Sequence, residues 1–212
     1  MLVYLIRHTK PKIEKGICYG FSDIELANSY QREKQILLDK IEIQLQKNKE
    51  KITEIIIYTS PLKRCQVLAN DLKNDLNIKN QNNFVFKVKK NRKLKEMNFG
   101  KWELKKWNQI NETQLRKWTD NFVTECVPDG ESFEVLNKRV IDFWQNKIES
   151  KTKIAEPNTI IFVVCHAGVI RSILCHVLQI PLRNAFSISI NYGSITKLKT
   201  FKTHTQIESV NH

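Results

Sequence analysis

Short apolar runs that alternate with amphipathic segments predict an α/β protein. Residues 2–6, 54–59 and 159–165 are too short for core helices and rich in β-formers, which is typical of buried parallel strands. Segments with apolar side chains at helical spacing lie between and after these runs: 29–51, 61–77, 104–121, 133–148 and 169–178. Weaker patterns predict an edge strand at 84–88 and late strands at 187–190, 194–201 and 206–210. The alternation predicts a three-layer α/β fold, with residues 1–212 as a single domain.

The three strongest strand patterns each end at a cation or an imidazole. Arg7 and His8 follow the first, His166 follows the third, and Arg64 lies in the first turn of the helix after the second. Ligands of open α/β sheets bind at the carboxyl ends of the strands. We therefore expect these side chains to meet at one edge, where they could hold a tetrahedral dianion.

The residues at this predicted edge suit phosphate chemistry. Arg7 and Arg64 offer the forked donors that match phosphate oxygens. Either His8 or His166 could be a nucleophile that forms a phosphohistidine, which water then hydrolyses. Glu96 could supply the proton for the leaving alkoxide.

Each of these residues also has an ordinary structural interpretation. A lone histidine is more often a hydrogen-bonded core residue, a lone Arg64 a helix-surface cation, and a lone Glu96 an exposed loop acid. A metal site at His8, Cys165 and His166 is disfavoured, because adjacent strand residues point to opposite faces. Only the set taken together favours a catalytic site.

Charge and composition limit the choice of partners. The formal net charge is +13, which raises nucleic acid as a partner. The lysines are spread over helices and loops, however, so solvated lysine-rich faces are favoured over a nucleic-acid footprint. The five cysteines are scattered and form no C-x-x-C pair, which favours free thiols in a reducing compartment.

No apolar run approaches the roughly 20 residues needed to span a bilayer, and the first apolar run stops at Arg7. The chain start therefore does not fit a signal peptide. These observations predict a cytoplasmic protein without a membrane partner and leave the oligomeric state open.

An ordered set of motifs resembles the histidine phosphatase superfamily, with its phosphoglycerate mutase-like fold. The set consists of Arg7-His8-Thr9, Ser60-Pro61-Leu62-Lys63-Arg64, Glu96 within L-x-E-x-x-x-G-x-W-E, Gly130-Glu131-Ser132 and His166-Ala167-Gly168. The resemblance implies a mixed, mostly parallel sheet covered by helices on both sides. It implies His8 as nucleophile and Glu96 as general acid and base. It also implies Arg7, Arg64 and His166 as phosphate-binding residues, with no metal and no cofactor.

Two departures from the family pattern stand near the site. Thr9 replaces the usual glycine after the histidine, and residues 25–30 lack the glycine of the usual L-T-x-x-G segment. Neither change removes a charged catalytic residue, so we expect an active enzyme.

The loop Gly16–Asp23 is similar to that of the α-ribazole phosphatase branch, which acts in assembly of the cobalamin nucleotide loop. Tyr19, Gly20 and Ser22 are candidate substrate-loop residues. The expected substrate is a small phosphorylated metabolite, most directly α-ribazole 5′-phosphate. The alternatives are a broad-specificity sugar or nucleotide phosphatase, a phosphoglycerate mutase-type enzyme, and a non-enzymatic phosphate- or RNA-binding module.

Overall fold

A computed structural model describes residues 1–46, 52–79, 84–154 and 158–212. Its strands are β1 (Leu2–Arg7), β2 (Glu54–Thr59), β3 (Val85–Lys90), β4 (Thr159–Cys165), β5 (Ile195–Thr200) and β6 (Thr205–Ser209). Its α-helices are α1 (Tyr30–Gln46), α2 (Lys63–Lys79), α3 (Glu112–Asn121), α4 (Phe133–Trp144), α5 (Ser150–Ile154) and α6 (Ala167–Leu178). A π-helical turn, Gln145–Glu149, joins α4 to α5. The predicted α/β class is confirmed.

Within the described residues, the strands form one mixed sheet in the order β3-β2-β4-β1-β5-β6. The first four of these strands are parallel to one another, whereas β5 runs antiparallel to β1 and β6 antiparallel to β5. The strand predicted at 84–88 is β3, which lies at the sheet edge as expected. β1 lies between β4 and β5, in the interior of the sheet.

Two hydrophobic cores cover the two faces of the sheet. Alternate residues of β1 point to opposite sides: Val3 and Leu5 join the core with α4 and α6, while Tyr4 and Ile6 join the core with α1 and α2. Because both faces are covered, β4 is buried along its whole length. This explains why its sequence is continuously apolar instead of alternating.

One predicted helix is shorter than its pattern indicated. Residues 104–121 carry helical spacing, but α3 begins only at Glu112, where the Asn111 side chain accepts a hydrogen bond from the Gln114 amide at 3.1 Å. Leu104 has a φ of 65°, which an α-helix does not allow. The preceding backbone pairs with an earlier loop instead, since the Leu104 amide donates to the Cys18 carbonyl at 2.8 Å.

The strand predicted at 187–190 was wrong. A 3-10 segment spans Leu182–Ser187, and an irregular stretch follows it. The carbonyls of Ile188 and Ile190 accept hydrogen bonds from Arg171 and Arg7. These arginine side chains supply donors that a neighbouring strand would otherwise supply. The end of the helix predicted at 29–51, residues 47–51, lies outside the described residues.

Candidate active site

The carboxyl ends of β1, β2 and β4 meet at one edge of the sheet, as predicted. Arg7 pairs with Cys165, and Thr59 pairs with Val164. The pairing continues beyond the strands, because the His8 amide donates to the Cys165 carbonyl at 3.0 Å. This register places His8 directly beside the strand end that leads to His166.

His8 is held in a single orientation by its neighbour. Its Nδ1 lies 2.7 Å from the Thr9 carbonyl oxygen, so Nδ1 carries the proton and donates it. Nε2 is then the unprotonated nitrogen, and it has no hydrogen-bond partner among the described residues. Burial, followed by the charges of Arg64 and Arg7, lowers the pKa of His8 well below its usual value. The imidazole is therefore neutral at neutral pH.

Thr9 fits its position without backbone strain. Among the described non-glycine residues, positive φ values occur at Leu104, Asp129, Gln179 and Asn211, and so not at Thr9. A glycine is therefore not needed at this position. The departure from the family pattern leaves the hydrogen bond to His8 intact.

Arg7 is fixed against the loop before β5. Its Nη1 donates to the Ile190 carbonyl at 2.5 Å, and its guanidinium carbon lies 3.7 Å from the centre of the Tyr192 ring. The Tyr192 ring also lies 5.6 Å from that of His8, and its hydroxyl is 2.6 Å from the Tyr19 hydroxyl. Two tyrosines from distant loops therefore meet beside the arginine–histidine pair.

Arg64 joins α2 to the 18–23 loop from the first turn of that helix. The side chain is fully buried, and it donates from Nη1 to the Ser22 carbonyl at 2.8 Å and from Nη2 to the Gly20 carbonyl at 2.7 Å. Gly20 allows a close approach, because an added Cβ would lie 1.8 Å from the Met97 carbonyl oxygen. The glycine thus packs against protein backbone.

Glu103 holds the same loop from the other side. Its carboxylate accepts hydrogen bonds from the amides of Gly20, Phe21, Ser22 and Phe99 and from the Ser22 hydroxyl. Burial alone would raise the pKa of Glu103, but these hydrogen bonds outweigh it and the pKa lies below its usual value. The Ser22 side chain is therefore engaged by protein, whereas Tyr19 lines the cleft.

His166 and Glu96 lie at the amino end of α6. His166 is the N-cap residue, and its Nε2 lies 2.9 Å from the Ser60 hydroxyl oxygen. Its ring centre is 5.0 Å from that of His8. Burial first, then Arg64 and His8, lower the pKa of His166 well below its usual value. This second imidazole is also neutral at neutral pH.

The Glu96 carboxylate is seated against Gly168. Its Oε2 accepts a hydrogen bond from the Gly168 amide at 3.1 Å, and its Oε1 accepts one from the Met97 amide at 3.1 Å. A Cβ at Gly168 would lie 2.3 Å from Oε1. A side chain at this position would therefore have to displace the Glu96 carboxylate.

These side chains line one cleft of about 220 Å³. Arg7, His8, Arg64, Glu96 and His166 form its polar floor. Its walls are mostly apolar and aromatic: Ile17, Tyr19, Met97, Phe99, Trp107, Phe133 and Phe186. The structure thus brings the five predicted site residues together, with Tyr19 at the wall.

The cleft contains a third arginine that the sequence patterns did not identify. Arg171, one turn into α6, lines the cleft and donates from Nε to the Ile188 carbonyl at 2.9 Å. Its guanidinium carbon lies 4.9 Å from the centre of the Phe186 ring. The sequence signal that could have identified Arg171 is its position five residues after His166, on the first turns of a helix that starts at the site.

Three guanidinium groups face a single carboxylate in this cleft, which favours an anionic ligand. A neutral imidazole with a free nitrogen lies between them, and a carboxyl group is available for proton transfer. No cluster of three or more histidine, cysteine or acidic side chains suited to a metal ion occurs in the described ranges. No helix in those ranges is long and apolar enough to cross a membrane.

This fold and cleft define an α/β protein with a cationic cleft suited to an anionic ligand. The chain belongs to the histidine phosphatase superfamily (branch 1), whose family model matches residues 3–212. It is thus a phosphatase or mutase of that superfamily.

Three similar proteins illustrate the range of activities named within this fold. A 2,3-bisphosphoglycerate-dependent phosphoglycerate mutase of Cytophaga hutchinsonii is 25% identical over 219 residues, which cover 100% of this chain and 92% of that protein. The alpha-ribazole phosphatase structure from Shigella flexneri is 19% identical, with a TM-score of 0.79 over 100% of this chain and 96% of that one. A phosphoserine phosphatase structure from Entamoeba histolytica, in complex with 3-phosphoglyceric acid, is 21% identical, with a TM-score of 0.76 over the same shares.

Proposed function

We propose that this chain is a metal-independent phosphomonoesterase that forms a phosphohistidine at His8. The observation that carries the proposal is the neutral His8 ring, whose Nδ1 is held by the Thr9 carbonyl while Nε2 is free. A neutral nitrogen with a lone pair is the form that attacks phosphorus.

In the first proposed step, Nε2 of His8 forms a bond to phosphorus as the ester P–O bond breaks. Glu96 gives its proton to the departing alkoxide oxygen. The Thr9 carbonyl accepts a hydrogen bond from Nδ1–H, which becomes more acidic when the ring is phosphorylated. Arg7, Arg64 and His166 bind the phosphoryl oxygens during the transfer.

In the second step, water attacks phosphorus and the bond to Nε2 breaks. The water gives a proton to the Glu96 carboxylate, which regenerates the acid for the next cycle. Inorganic phosphate leaves, and His8 returns to its neutral form.

We propose α-ribazole 5′-phosphate as the substrate, in assembly of the cobalamin nucleotide loop. Aromatic side chains dominate the cleft walls, with Tyr19, Phe99, Trp107, Phe133 and Phe186 among them. Such walls suit a leaving group that carries a flat aromatic base. The likeness to the alpha-ribazole phosphatase of Shigella flexneri in fold supports the choice.

A second candidate substrate class carries a carboxylate, as 3-phosphoglycerate and phosphoserine do. Arg171 favours this class, because only its Nε has a hydrogen-bond partner among the described residues, and the rest of its guanidinium is left for a ligand. A guanidinium binds a carboxylate through two parallel hydrogen bonds. A mutase would use the same residues and return the phosphoryl group to an organic acceptor.

The deciding experiment measures phosphate release from α-ribazole 5′-phosphate, phosphoserine, 3-phosphoglycerate and a nucleotide, each with EDTA present. We expect the highest kcat/KM for α-ribazole 5′-phosphate and no loss with EDTA. Preference for the carboxylates, abolished in Arg171→Met, would establish the second class. No release from any of these esters would refute the phosphatase and leave the mutase or a binding module.

A further inference from the structure

Arg139 of α4 binds the backbone of the segment that carries Glu96. Its Nη1 donates to the carbonyls of Lys93 and Lys95 at 2.8 and 2.7 Å, and its Nη2 donates to the Glu96 carbonyl at 2.8 Å. Arg139 is not among the cleft-lining residues. It reaches Glu96 through the backbone that it holds, and its guanidinium carbon also lies 5.7 Å from the centre of the Phe21 ring in the 18–23 loop.

Glu131 completes this arrangement. It accepts hydrogen bonds from Nε and Nη2 of Arg139 at 2.9 and 2.7 Å. Its Oε2 also accepts a hydrogen bond from the Asn98 amide at 2.9 Å. The Glu131 amide in turn donates to the Asn98 carbonyl at 2.8 Å. The pair is largely buried, since the side chains of Arg139 and Glu131 are 17% and 14% exposed.

All five N–H donors of the Arg139 guanidinium have a partner, and the geometry is that of a rigid fork. A lysine has three donors on a single nitrogen and cannot reproduce this pattern. The pair fixes the segment 93–98 both before and after Glu96. We call Arg139 and Glu131 the 131–139 clamp.

The segment 95–98 needs such support because it lies in neither helix nor strand. Its backbone groups must find partners outside regular secondary structure. Among the described residues, only the Gly168 and Met97 amides donate hydrogen bonds to the Glu96 side chain. Its position relative to the cleft therefore depends on where the backbone is placed.

We infer that the 131–139 clamp is a positioning device for proton transfer by Glu96. The inference rests on the proposed function, in which Glu96 protonates the leaving oxygen as the ester bond breaks. A displacement of about 1 Å at a reacting group can cost on the order of 100-fold in rate. The clamp should thus matter most for esters whose leaving group requires a proton.

The test compares Arg139→Lys with wild type on two esters. An alkyl phosphate such as a sugar phosphate has a basic leaving group and needs the acid, whereas p-nitrophenyl phosphate does not. We expect kcat for the alkyl ester to fall by about 10- to 100-fold and kcat for p-nitrophenyl phosphate by less than about 3-fold. The ratio of the two kcat/KM values is independent of the folded fraction, so partial unfolding does not mask the result.

Glu131→Gln serves as the second variant and should shift the same ratio in the same direction. Lys138→Ala is the matched control, since Lys138 is the exposed neighbour on α4 and pairs only with Glu134 among the described residues. It should leave the ratio unchanged. If wild type is active and the ratio is unaltered in both Arg139→Lys and Glu131→Gln, the positioning role of the 131–139 clamp is refuted and the proposed function stands. Wild-type protein that releases phosphate from neither ester would instead overturn the proposed function.

Discussion

The hydrogen bond from His8 to the Thr9 carbonyl sets which ring nitrogen carries the proton. Because Nδ1 is engaged at 2.7 Å, Nε2 is the free position on the ring. The positions of the residues alone left both His8 and His166 as candidates, and only the resemblance to the superfamily favoured His8. The free ring nitrogen could not be predicted, because it depends on a backbone carbonyl, which every residue has and no pattern reveals.

His8→Asn should abolish turnover. Asparagine can still donate to the Thr9 carbonyl, but it has no atom at the position of Nε2, so we expect phosphate release to fall by at least about 10³-fold. Steady-state rates would measure this, together with an alkaline quench that preserves the acid-labile phosphohistidine. His176→Asn is the control, because His176 lies near Glu149 at the far end of α6. Activity retained by His8→Asn would exclude the nucleophile assignment.

Gly168→Ala should impair proton donation with little effect on folding. The new methyl group would displace the Glu96 carboxylate, which lies 2.3 Å from the Cβ position. We expect kcat on alkyl phosphates to fall by on the order of 10- to 100-fold, measured beside thermal unfolding. The double variant Glu96→Gln/Gly168→Ala should lose no more than Glu96→Gln alone. Additive losses would mean that Gly168 acts elsewhere.

At the scale of elements, patterns predicted strands and helices best where burial alone determines them. β4 is buried on both faces and its boundaries match the prediction of 159–165. Residues 187–190 alternate serine and isoleucine, which is also typical of a strand, but the carbonyls of Ile188 and Ile190 accept hydrogen bonds from Arg171 and Arg7. Such long-range side-chain contacts leave no periodic trace in the sequence, which is why that strand was predicted wrongly.

The residues of the candidate site also divide into those that sequence patterns predict and those that only the structure reveals. Arg7, His8 and His166 could be predicted because they follow strands that end at one edge of the sheet. Arg139 and Arg171 could not, because each lies on a helix surface where arginine is ordinary. They are distinguished by the backbone carbonyls to which they donate hydrogen bonds, and only the folded chain brings those carbonyls within reach.

The loop at 18–23 should depend on the charge of Glu103. In Glu103→Gln, an amide nitrogen would face backbone N–H groups that now donate to a carboxylate oxygen. We expect the free energy of unfolding to fall by about 3 kcal/mol and KM to rise, because the loop contains Tyr19 and binds Arg64. Urea unfolding and steady-state kinetics would measure both. Glu14→Gln, which changes an exposed carboxylate beside Lys106, should leave both values unaltered.

At the scale of the whole molecule, two neutral buried histidines should make the fold sensitive to acid. The pKa values of His8 and His166 lie well below 6.5, their usual value. Below pH 6.5 the unfolded chain therefore binds protons that the folded protein does not, and stability is lost as the pH falls. Each histidine contributes a slope of up to about 1.4 kcal/mol per pH unit.

Urea unfolding at pH 7.5 and 5.5 would measure this loss in wild type and in His8→Asn. The variant should lose less stability over the interval, because one of the two titrating groups is gone. His204→Asn, at an exposed turn, is the control and should behave as wild type. An equal loss in wild type and His8→Asn would show that His8 is not held neutral by the fold.

The interior position of β1 has a consequence for how the protein is made. Leu2 pairs with Ile160 and Lys199, so β1, which ends at Arg7 just before His8, leaves the ribosome long before either of its neighbours. At about 5–20 residues per second, it waits on the order of 10 to 30 s without the strands that pair with its two edges. The sheet edge that carries His8 and His166 would assemble only after β4 emerges.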